Sequence, residues 1–247
     1  MENTQMSKET LLGRWEDVRD IRNVMGKMSA DYVLREERTM FEKYWSKRDD
    51  VSLGVNEGFY IGPASVSGYY EAWGKAIDKE SKKIKSLFQK ELGDKSDEEV
   101  YGVGMMNYKP VDTYVIEEAL DGKTAKGIWM IRGSHSNLTK MGPVAYWEWG
   151  YFAVDFILED DEWKIWHMQY LKDIDSISGF KWTAEEISYK EREEFKDWEP
   201  YPIPAPDKLI CLREYYTKDR KFYPSPKLPE LYDTFENTFS YGIEGVM

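Results

Sequence analysis

Hydrophobic residues near the start of the chain recur at steps of three and four, the spacing of one face of an α-helix. The positions on this face are Ile21, Val24, Met25, Met28, Tyr32, Met40, Phe41, Tyr44 and Trp45. The charged stretch 35–38 interrupts the pattern, so we expect a bend there between two helices. The following stretch, RDDVSLGVNEGFYIGPASV, predicts two short strands and then a helix that Ser65 or Ser67 could cap.

The pattern changes from helical to strand-like at about residue 102. Residues 74–100 are charged and helical in tendency, whereas 112–119 and 124–132 alternate in polarity on either side of Asp121-Gly122, which predicts a β-hairpin. In that hairpin Tyr114 faces Trp129 and Glu117 faces Lys126. A Gly/Ser/Asn-rich loop then precedes two long strands, over 144–158 and 163–171.

Both faces of these last two strands are apolar or aromatic, so both faces of the sheet need a cover. Helices can cover one face. We expect the other face to close around a cavity or to meet another subunit.

The composition narrows the possible partners. Aromatic residues make up 15% of the 247 residues, which indicates an unusually aromatic core or pocket. The net charge of −12 makes nucleic acid and anionic membranes poor partners. The absence of a long apolar run predicts a cytoplasmic protein. With a lone Cys211 and two histidines, we expect no internal disulfide and no metal site.

The chain after residue 175 has a different character. It contains the proline-rich segment WEPYPIPAPDK, and it carries scattered aromatic residues such as Tyr215, Tyr232, Phe235 and Phe239. Proline at this density prevents a long regular element, whereas the aromatic residues argue against free disorder. We therefore expect an arm over 176–247 that packs on its own domain or on a neighbouring subunit of a homo-oligomer, a dimer or a trimer.

Several segments in order resemble the SnoaL-like branch of the nuclear-transport-factor-two-like superfamily. They are RNVMGKMSADY, RDDVSLGVNEGFYIG, DGKTAKGIWMIRG and WEWGYFAVDFILEDDEWKIWHMQYLKD, and the resemblance covers 11–175. It implies an α+β fold in which N-terminal helices wrap a cone-shaped, curved antiparallel sheet with a pocket at its open end. Members include scytalone dehydratase, bile acid dehydratase, ketosteroid isomerase and polyketide cyclases, alongside binding domains without chemistry.

The resemblance also implies cofactor-free proton transfer next to a carbonyl, carried out by His, Asp or Tyr in an apolar pocket. His135, at the end of the GIWMIRGSH strand, is the candidate base, because the pKa of an imidazole is ordinarily near neutrality. An exposed loop histidine is the alternative. The resemblance implies that Tyr32 donates a hydrogen bond to the substrate carbonyl and that Asp31 assists the proton transfer. Tyr32 also belongs to the apolar helix face, so core packing is the alternative.

Two further ionisable residues lie on the long strands. Desolvation of Asp155 in its apolar strand would raise its pKa and suit an acid or base, but we favour a diagonal ion pair with Lys164. His167 is a candidate ligand contact, although its position is more typical of a packed core. If the turn before it is tight, His167 faces Val154, and it should not pair with Asp155.

The remaining candidates are binding residues. Asn107 and Tyr108 stand where the resemblance would place a histidine, which weighs against a dehydratase, but either could bind a carbonyl oxygen. The sequence predicts an aromatic wall that comprises Tyr114, Trp129, Trp147 and Trp149, although core packing would give the same pattern.

These observations predict a cofactor-independent lyase or isomerase that acts on an aromatic, polyketide-like or steroid-like carbonyl compound. The alternative is a non-catalytic, oligomer-forming domain that binds a small molecule.

Overall fold

The computed structural model describes residues 8–139, 142–178, 203–221 and 226–243. The chain begins with the long helix α1 (Lys8–Leu34), a short 3₁₀ turn (Glu37–Thr39) and helix α2 (Met40–Tyr44). Arg35 ends α1 in the left-handed conformation, with φ of 62°. Because the Glu36 amide then donates to the Asp31 carbonyl, the chain closes a Schellman-type cap. The predicted bend at 35–38 is confirmed.

Three further helices follow the first pair of strands. Helix α3 (Gly62–Leu87) begins with proline in its first turn, and no side chain caps it, so the predicted cap at Ser65 or Ser67 is wrong. Proline and the turn glycine already set the start of this helix upstream of both serines. The short helices α4 (Gln89–Leu92) and α5 (Asp97–Val100) complete the helical part.

The strands form one eight-stranded sheet in the order β3-β5-β6-β7-β1-β2-β8, with β4 also paired to β5. Their bounds are β1 Ser52–Val55, β2 Gly58–Ile61, β3 Met106–Tyr108, β4 Val111–Glu118, β5 Thr124–Thr139, β6 Gly142–Glu159, β7 Glu162–Ile177 and β8 Lys208–Leu209. The α+β class is confirmed. The sheet is mixed, however, because β1 runs parallel to β7 while the other pairs are antiparallel.

Strand β5 is longer than predicted. The expected hairpin register is confirmed, since Tyr114 faces Trp129 and Glu117 faces Lys126. The Gly/Ser/Asn-rich stretch after residue 132 is strand rather than loop, because its residues pair with β6 without a break as far as Thr139. Pairing with a neighbouring strand outweighs the weak strand propensity of these residues.

Side chains alternate between the two faces of β5 and β6. On the inner face, odd-numbered residues of β5 and even-numbered residues of β6, such as Trp129, Phe152 and Phe156, pack with the helices in the main core. On the outer face, Ile128 and Ala153 pack against the C-terminal extension.

The expected division of roles between the two faces is therefore wrong. The helices and the cavity share the inner face, and the outer face is covered along part of its length by the chain's own residues 226–243. Three parts of the predicted extension, residues 179–202, 222–225 and 244–247, lie outside the described residues.

A buried ionic cluster fixes this extension to the sheet. Asp155, fully buried on the outer face of β6, accepts hydrogen bonds from Lys126 Nζ at 2.6 Å and from Ser240 Oγ and the Tyr241 amide at 2.8 Å each. It also contacts His167 Nδ1 at 2.9 Å. Burial would raise the pKa of Asp155, but His167 and Lys126 hold it below its ordinary value.

The rings of the extension surround the ammonium of Lys126. Tyr232, Phe235, Phe239 and Tyr241 place their ring centroids 4.5–5.7 Å from Lys126 Nζ. Cation–π contacts of this kind replace part of the hydration that the ammonium loses on burial.

The predicted separation of Asp155 from His167, and the predicted ion pair with Lys164, are both wrong. A bulge in β7 between the partners of Asp155 and Phe156 shifts the register by one residue, so His167 lies opposite Asp155 instead of Val154. Lys164 contacts Glu162 on its own strand.

Among the described residues, no helix combines the length and apolarity that a membrane span requires.

We expect Asp155→Asn to lower the free energy of unfolding by about 3–5 kcal/mol, because Lys126 would remain buried without a counter-charge. Urea titration measures this loss. Asp112→Asn, which disturbs the exposed ion pair with Arg132, is the matched control and should cost less than about 1 kcal/mol. Equal small losses in the two variants would show that the Asp155 cluster does not hold the fold together.

Candidate functional site

A cavity of about 110 Å³ lies between the helices and the inner face of the sheet. Its walls come from the end of α1, the 3₁₀ turn, α3, and strands β3, β5, β6 and β7. The residues that line it are Tyr32, Arg35, Glu37, Tyr69, Tyr70, Trp73, Met106, Asn107, Lys109, His135, Asn137, Glu148, Tyr170, Lys172 and Asp175. The lining is thus an aromatic wall on the helix side and a charged floor on the sheet side.

Glu148 is the centre of the charged floor. Its Oε1 accepts hydrogen bonds from Lys109 Nζ at 2.7 Å and from the Tyr170 hydroxyl, and its Oε2 lies 3.2 Å from Lys172 Nζ. Lys172 Nζ also donates to Asp175 Oδ2 at 2.8 Å. Each buried charge on the floor therefore has a partner of opposite sign, as burial requires.

The pKa values on the floor follow from this pairing. Burial would raise the pKa of Glu148, but Lys109 and Lys172 outweigh it and hold this pKa well below its ordinary value. Burial lowers the pKa of Lys109, and Glu148 only partly offsets that effect. Burial would lower the pKa of Lys172, but Asp175 and Glu148 outweigh this effect and raise the pKa well above its ordinary value. Glu148 is therefore ionised at neutral pH.

His135 lies in the middle of the paired region, directly opposite Asn107 of β3. Its ring stacks on Tyr146 with centroids 4.6 Å apart, and its Nδ1 is 3.7 Å from Glu148 Oε2. Burial lowers the pKa of His135 from 6.5 to about 4, although Glu148 and Asp175 oppose the change. The imidazole is therefore neutral at pH 7. The alternative of an exposed loop histidine does not hold.

Tyrosines form most of the wall that faces this floor. Tyr69 and Tyr70 of α3 and Tyr32 of α1 are buried, with the ring centroid of Tyr32 4.8 Å from Lys109 Nζ. Burial raises the pKa of Tyr69 to about 12 and that of Tyr32 well above its ordinary value. Their hydroxyls are consequently protonated at neutral pH and can donate hydrogen bonds.

The far end of the cavity contains a second carboxylate. Glu37 Oε1 lies 3.2 Å from Arg35 Nη1 and accepts a hydrogen bond from Asn107 Nδ2, also at 3.2 Å. Asn107 in turn is the neighbour of His135 across the β3–β5 pairing. This end is therefore continuous with the part of the cavity that contains the histidine.

The structure brings His135, Tyr32 and Asn107 into one cavity and leaves two of their predicted partners outside it. Asp31 Oδ2 contacts Lys43 Nζ and the Tyr44 hydroxyl at 2.8 Å each, on the side of α2. Tyr108 points away from the cavity, as alternation along β3 requires, and is 53% exposed.

The predicted aromatic wall is not assembled. Trp147 and Trp149 lie on the outer face, because they alternate with Glu148 along β6. Trp129 is on the inner face, but its ring lies over Gly127, where an added Cβ would come within 2.3 Å of it, and it packs on Phe156. Core packing is thus the correct interpretation of Trp129.

The other predicted site residues also lie elsewhere. Tyr114 is 41% exposed beneath the guanidinium of Arg22. Asp155 and His167 belong to the cluster on the outer face, away from the residues that line the cavity.

Sequence reasoning missed most of the charged floor. The floor residues missed are Lys109, Glu148, Tyr170, Lys172 and Asp175, and Arg35 and Glu37 at the far end of the cavity were missed as well. One signal was present for Glu148, which is a carboxylate between two tryptophans in a strand that is apolar on both faces. A charge in such a strand needs a buried partner. Which lysine supplies the partner depends on the strand order.

The floor also contains a geometric candidate for a metal site. Ligand atoms of His135, Glu148 and Asp175 lie within 4.8 Å of one another. Lys172 Nζ, however, lies 2.8 Å from Asp175 and 3.2 Å from Glu148, and Lys109 also binds Glu148. A cation there would be repelled by both ammonium groups, so the charges present do not fit a divalent ion.

The chain was compared with known proteins. No family model and no curated protein matches the sequence. Among solved structures, a type 2 hexachlorocyclohexane dehydrochlorinase (LinA) is 13% identical, with 71% of this chain and 99% of that chain covered and a TM-score of 0.45. A putative scytalone dehydratase from Novosphingobium aromaticivorans is 8% identical over 68% and 92% of the two chains, with a TM-score of 0.46.

A third structure is described as an NTF2-like protein with a cystatin-like fold, also from Novosphingobium aromaticivorans. It is 10% identical over 70% of this chain and 92% of that chain, with a TM-score of 0.44. These names include the superfamily that the sequence segments resemble. At such identities and scores the alignments carry no argument about activity. The α+β architecture therefore rests on the element order and sheet topology described above.

Proposed function

We propose that this protein is a cofactor-independent lyase or isomerase that moves a proton next to a carbonyl group, with His135 as the base. The observation that supports this most directly is a neutral, buried imidazole that lines the same cavity as the protonated Tyr32. A neutral imidazole can accept a proton, and a tyrosine hydroxyl can donate a hydrogen bond to a carbonyl oxygen.

In the proposed step, the C–H bond next to the carbonyl breaks and its proton passes to His135. The electron pair of that bond moves into an enolate. The negative charge on the enolate oxygen is stabilised by the Tyr32 hydroxyl and by the nearby ammonium of Lys109. The imidazolium that forms is stabilised by Glu148, whose Oε2 lies 3.7 Å from Nδ1. Return of the proton from His135 to another carbon of the enolate completes an isomerisation. In an elimination, the enolate electron pair forms the new C=C bond as the bond from the β-carbon to the leaving group breaks, and the leaving group takes the proton from His135.

The size of the cavity restricts the proposed substrate. A volume of about 110 Å³ is of the same order as the roughly 150 Å³ of an engineered cavity that holds one benzene molecule, so the cavity has room for one ring and not for several fused rings. We therefore propose a compound with a single ring rather than the polyketide-like or steroid-like compound expected from the sequence.

A non-catalytic binding site is the second candidate. It is favoured by the floor itself, where Lys109, Glu148 and Tyr170 satisfy one another by hydrogen bonds. A site of this kind would bind small cyclic ketones without exchanging their protons.

Proton exchange separates the two candidates. We expect the protein in D₂O to catalyse deuterium incorporation next to the carbonyl of cyclohexanone or cyclohex-2-enone, which NMR measures directly. His135→Gln should lower the rate by about 100-fold or more, since general-base catalysis typically contributes this much. His167→Gln, which changes the histidine of the outer face, should retain the rate. Binding of these ketones with no exchange would favour the second candidate.

The neutral state of His135 also predicts a dependence of stability on pH. The unfolded chain protonates this histidine below about pH 6.5, whereas the folded protein does so only near pH 4. Stability should therefore fall as the pH is lowered from 6.5 to 4, with His135 contributing on the order of 3 kcal/mol to the loss.

Urea titrations of the wild-type protein and of His135→Gln across this range measure the effect. The stability of the variant should depend less steeply on pH, because its glutamine does not titrate. Parallel curves for the two proteins would mean that His135 is not buried in its neutral form.

A further inference from the structure

One residue that lines the cavity has a carboxylate oxygen with no hydrogen-bond partner among the described residues. Glu37 is 3% exposed and lines the cavity, and both of its contacts, with Arg35 Nη1 and Asn107 Nδ2, are made by Oε1. Among the described residues, nothing hydrogen-bonds to Oε2. Arg35 Nε, in the other half of this ion pair, is likewise buried and unpartnered. An acceptor and a donor are thus left unused on neighbouring side chains that line one cavity.

Leaving such groups unpaired is costly, because each lost its hydration on burial. The backbone at Arg35 adds to that cost. This arginine occupies the left-handed C-terminal position of α1, with φ of 62°, where glycine is the residue that avoids strain. The chain therefore retains a strained, half-buried arginine beside a buried glutamate at the edge of the cavity.

We propose that this end of the cavity is a subsite for a hydroxyl group of the substrate. The hydroxyl donates its hydrogen bond to Glu37 Oε2, and its oxygen accepts one from Arg35 Nε. Other polar groups fit less well. A carbonyl oxygen cannot donate to Oε2, a carboxylate is repelled by Glu37, and an ammonium group is repelled by Arg35.

This inference rests on the proposed function and narrows its substrate class to single-ring compounds with both a carbonyl and a hydroxyl group. The carbonyl lies towards Tyr32 and Lys109, and the hydroxyl lies towards Arg35 and Glu37. Asn107 is a positioning residue, because its amide holds Glu37 Oε1 and sits opposite His135 across β3 and β5.

A matched pair of probes tests the subsite. We use 4-hydroxycyclohexanone, which offers a hydroxyl, and cyclohexane-1,4-dione, which has the same size but offers only an acceptor. Dissociation constants come from NMR titration of the full chain at constant pH. We expect the wild-type protein to bind the hydroxyketone about tenfold or more tightly than the dione, as hydrogen bonds to charged groups allow.

Glu37→Gln should reverse this preference. The glutamine oxygen keeps the contacts with Arg35 and Asn107, which places the amide NH₂ where Oε2 was and presents a donor to the dione carbonyl. Glu36→Gln, at the neighbouring exposed glutamate, is the control and should keep the wild-type preference. Arg35→Lys, which removes Nε but keeps the charge, should weaken the binding of both probes, because the oxygen of each can accept from Nε, and the hydroxyketone should remain the tighter ligand because Glu37 Oε2 is unchanged. Circular dichroism confirms that each variant is folded.

The outcomes separate this proposal from the proposed function. Equal affinity of the wild-type protein for the two probes, a preference that survives Glu37→Gln, or no binding of either probe overturns the hydroxyl subsite and indicates that water alone satisfies Glu37 and Arg35. The exchange of cyclohexanone protons needs no hydroxyl, so a rate that depends on His135 would stand even then. Loss of that exchange alone, with the probe preference intact, would instead contradict the proposed reaction.

Discussion

The central constraint on this structure is that strands β5, β6 and β7 form a sheet whose two faces must both be removed from water. The helices cover the inner face and residues 226–243 cover part of the outer face. Each face nevertheless buries one carboxylate of β6, Glu148 on the inner face and Asp155 on the outer. The two have opposite parity along one strand, so alternation alone sends them to opposite sides.

The two buried carboxylates are neutralised in different ways. Asp155 is enclosed by one lysine, one histidine and the aromatic rings of the extension, and every contact comes from a group that also closes the outer face. Glu148 has two lysines and a tyrosine, but its cluster borders an open volume. A sealed ionic cluster positions a segment of chain, whereas one beside a cavity can also act on a molecule that enters it.

The sequence was sufficient to predict the helices and strands but not the residues of the candidate site, for a physical reason. Periodicity located α1, the β4–β5 hairpin and the long strands because it reflects local burial. The family resemblance, not periodicity, singled out His135, Tyr32 and Asn107, which the structure brings into one cavity. Periodicity failed for Trp147, Trp149 and Asp155, because the face that a strand residue occupies depends on which face the helices cover. It failed again for His167, because one bulged residue in β7 reverses the side chains that follow it, as far as the second register shift between the partners of Gly150 and Trp149.

The charged floor was beyond the reach of a single sequence for a further reason. Lys109 precedes β4, while Glu148 and Lys172 belong to two different strands, and only the order β3-β5-β6-β7 brings these residues together. Glu37 of the 3₁₀ turn and Asn107 of β3 are likewise distant in sequence but joined by a hydrogen bond in the folded chain.

The carboxylates at the two ends of the cavity differ in one respect. Glu148 has both oxygens engaged by protein groups, whereas Glu37 has one oxygen engaged and one free. A fully satisfied group shapes the electrostatic potential of a cavity, and an unsatisfied one needs an additional partner. Among the described residues that line the cavity, the unmet hydrogen-bonding capacity therefore lies at the Glu37 end, and His135, the proposed base, lies beside it across the β3–β5 pairing.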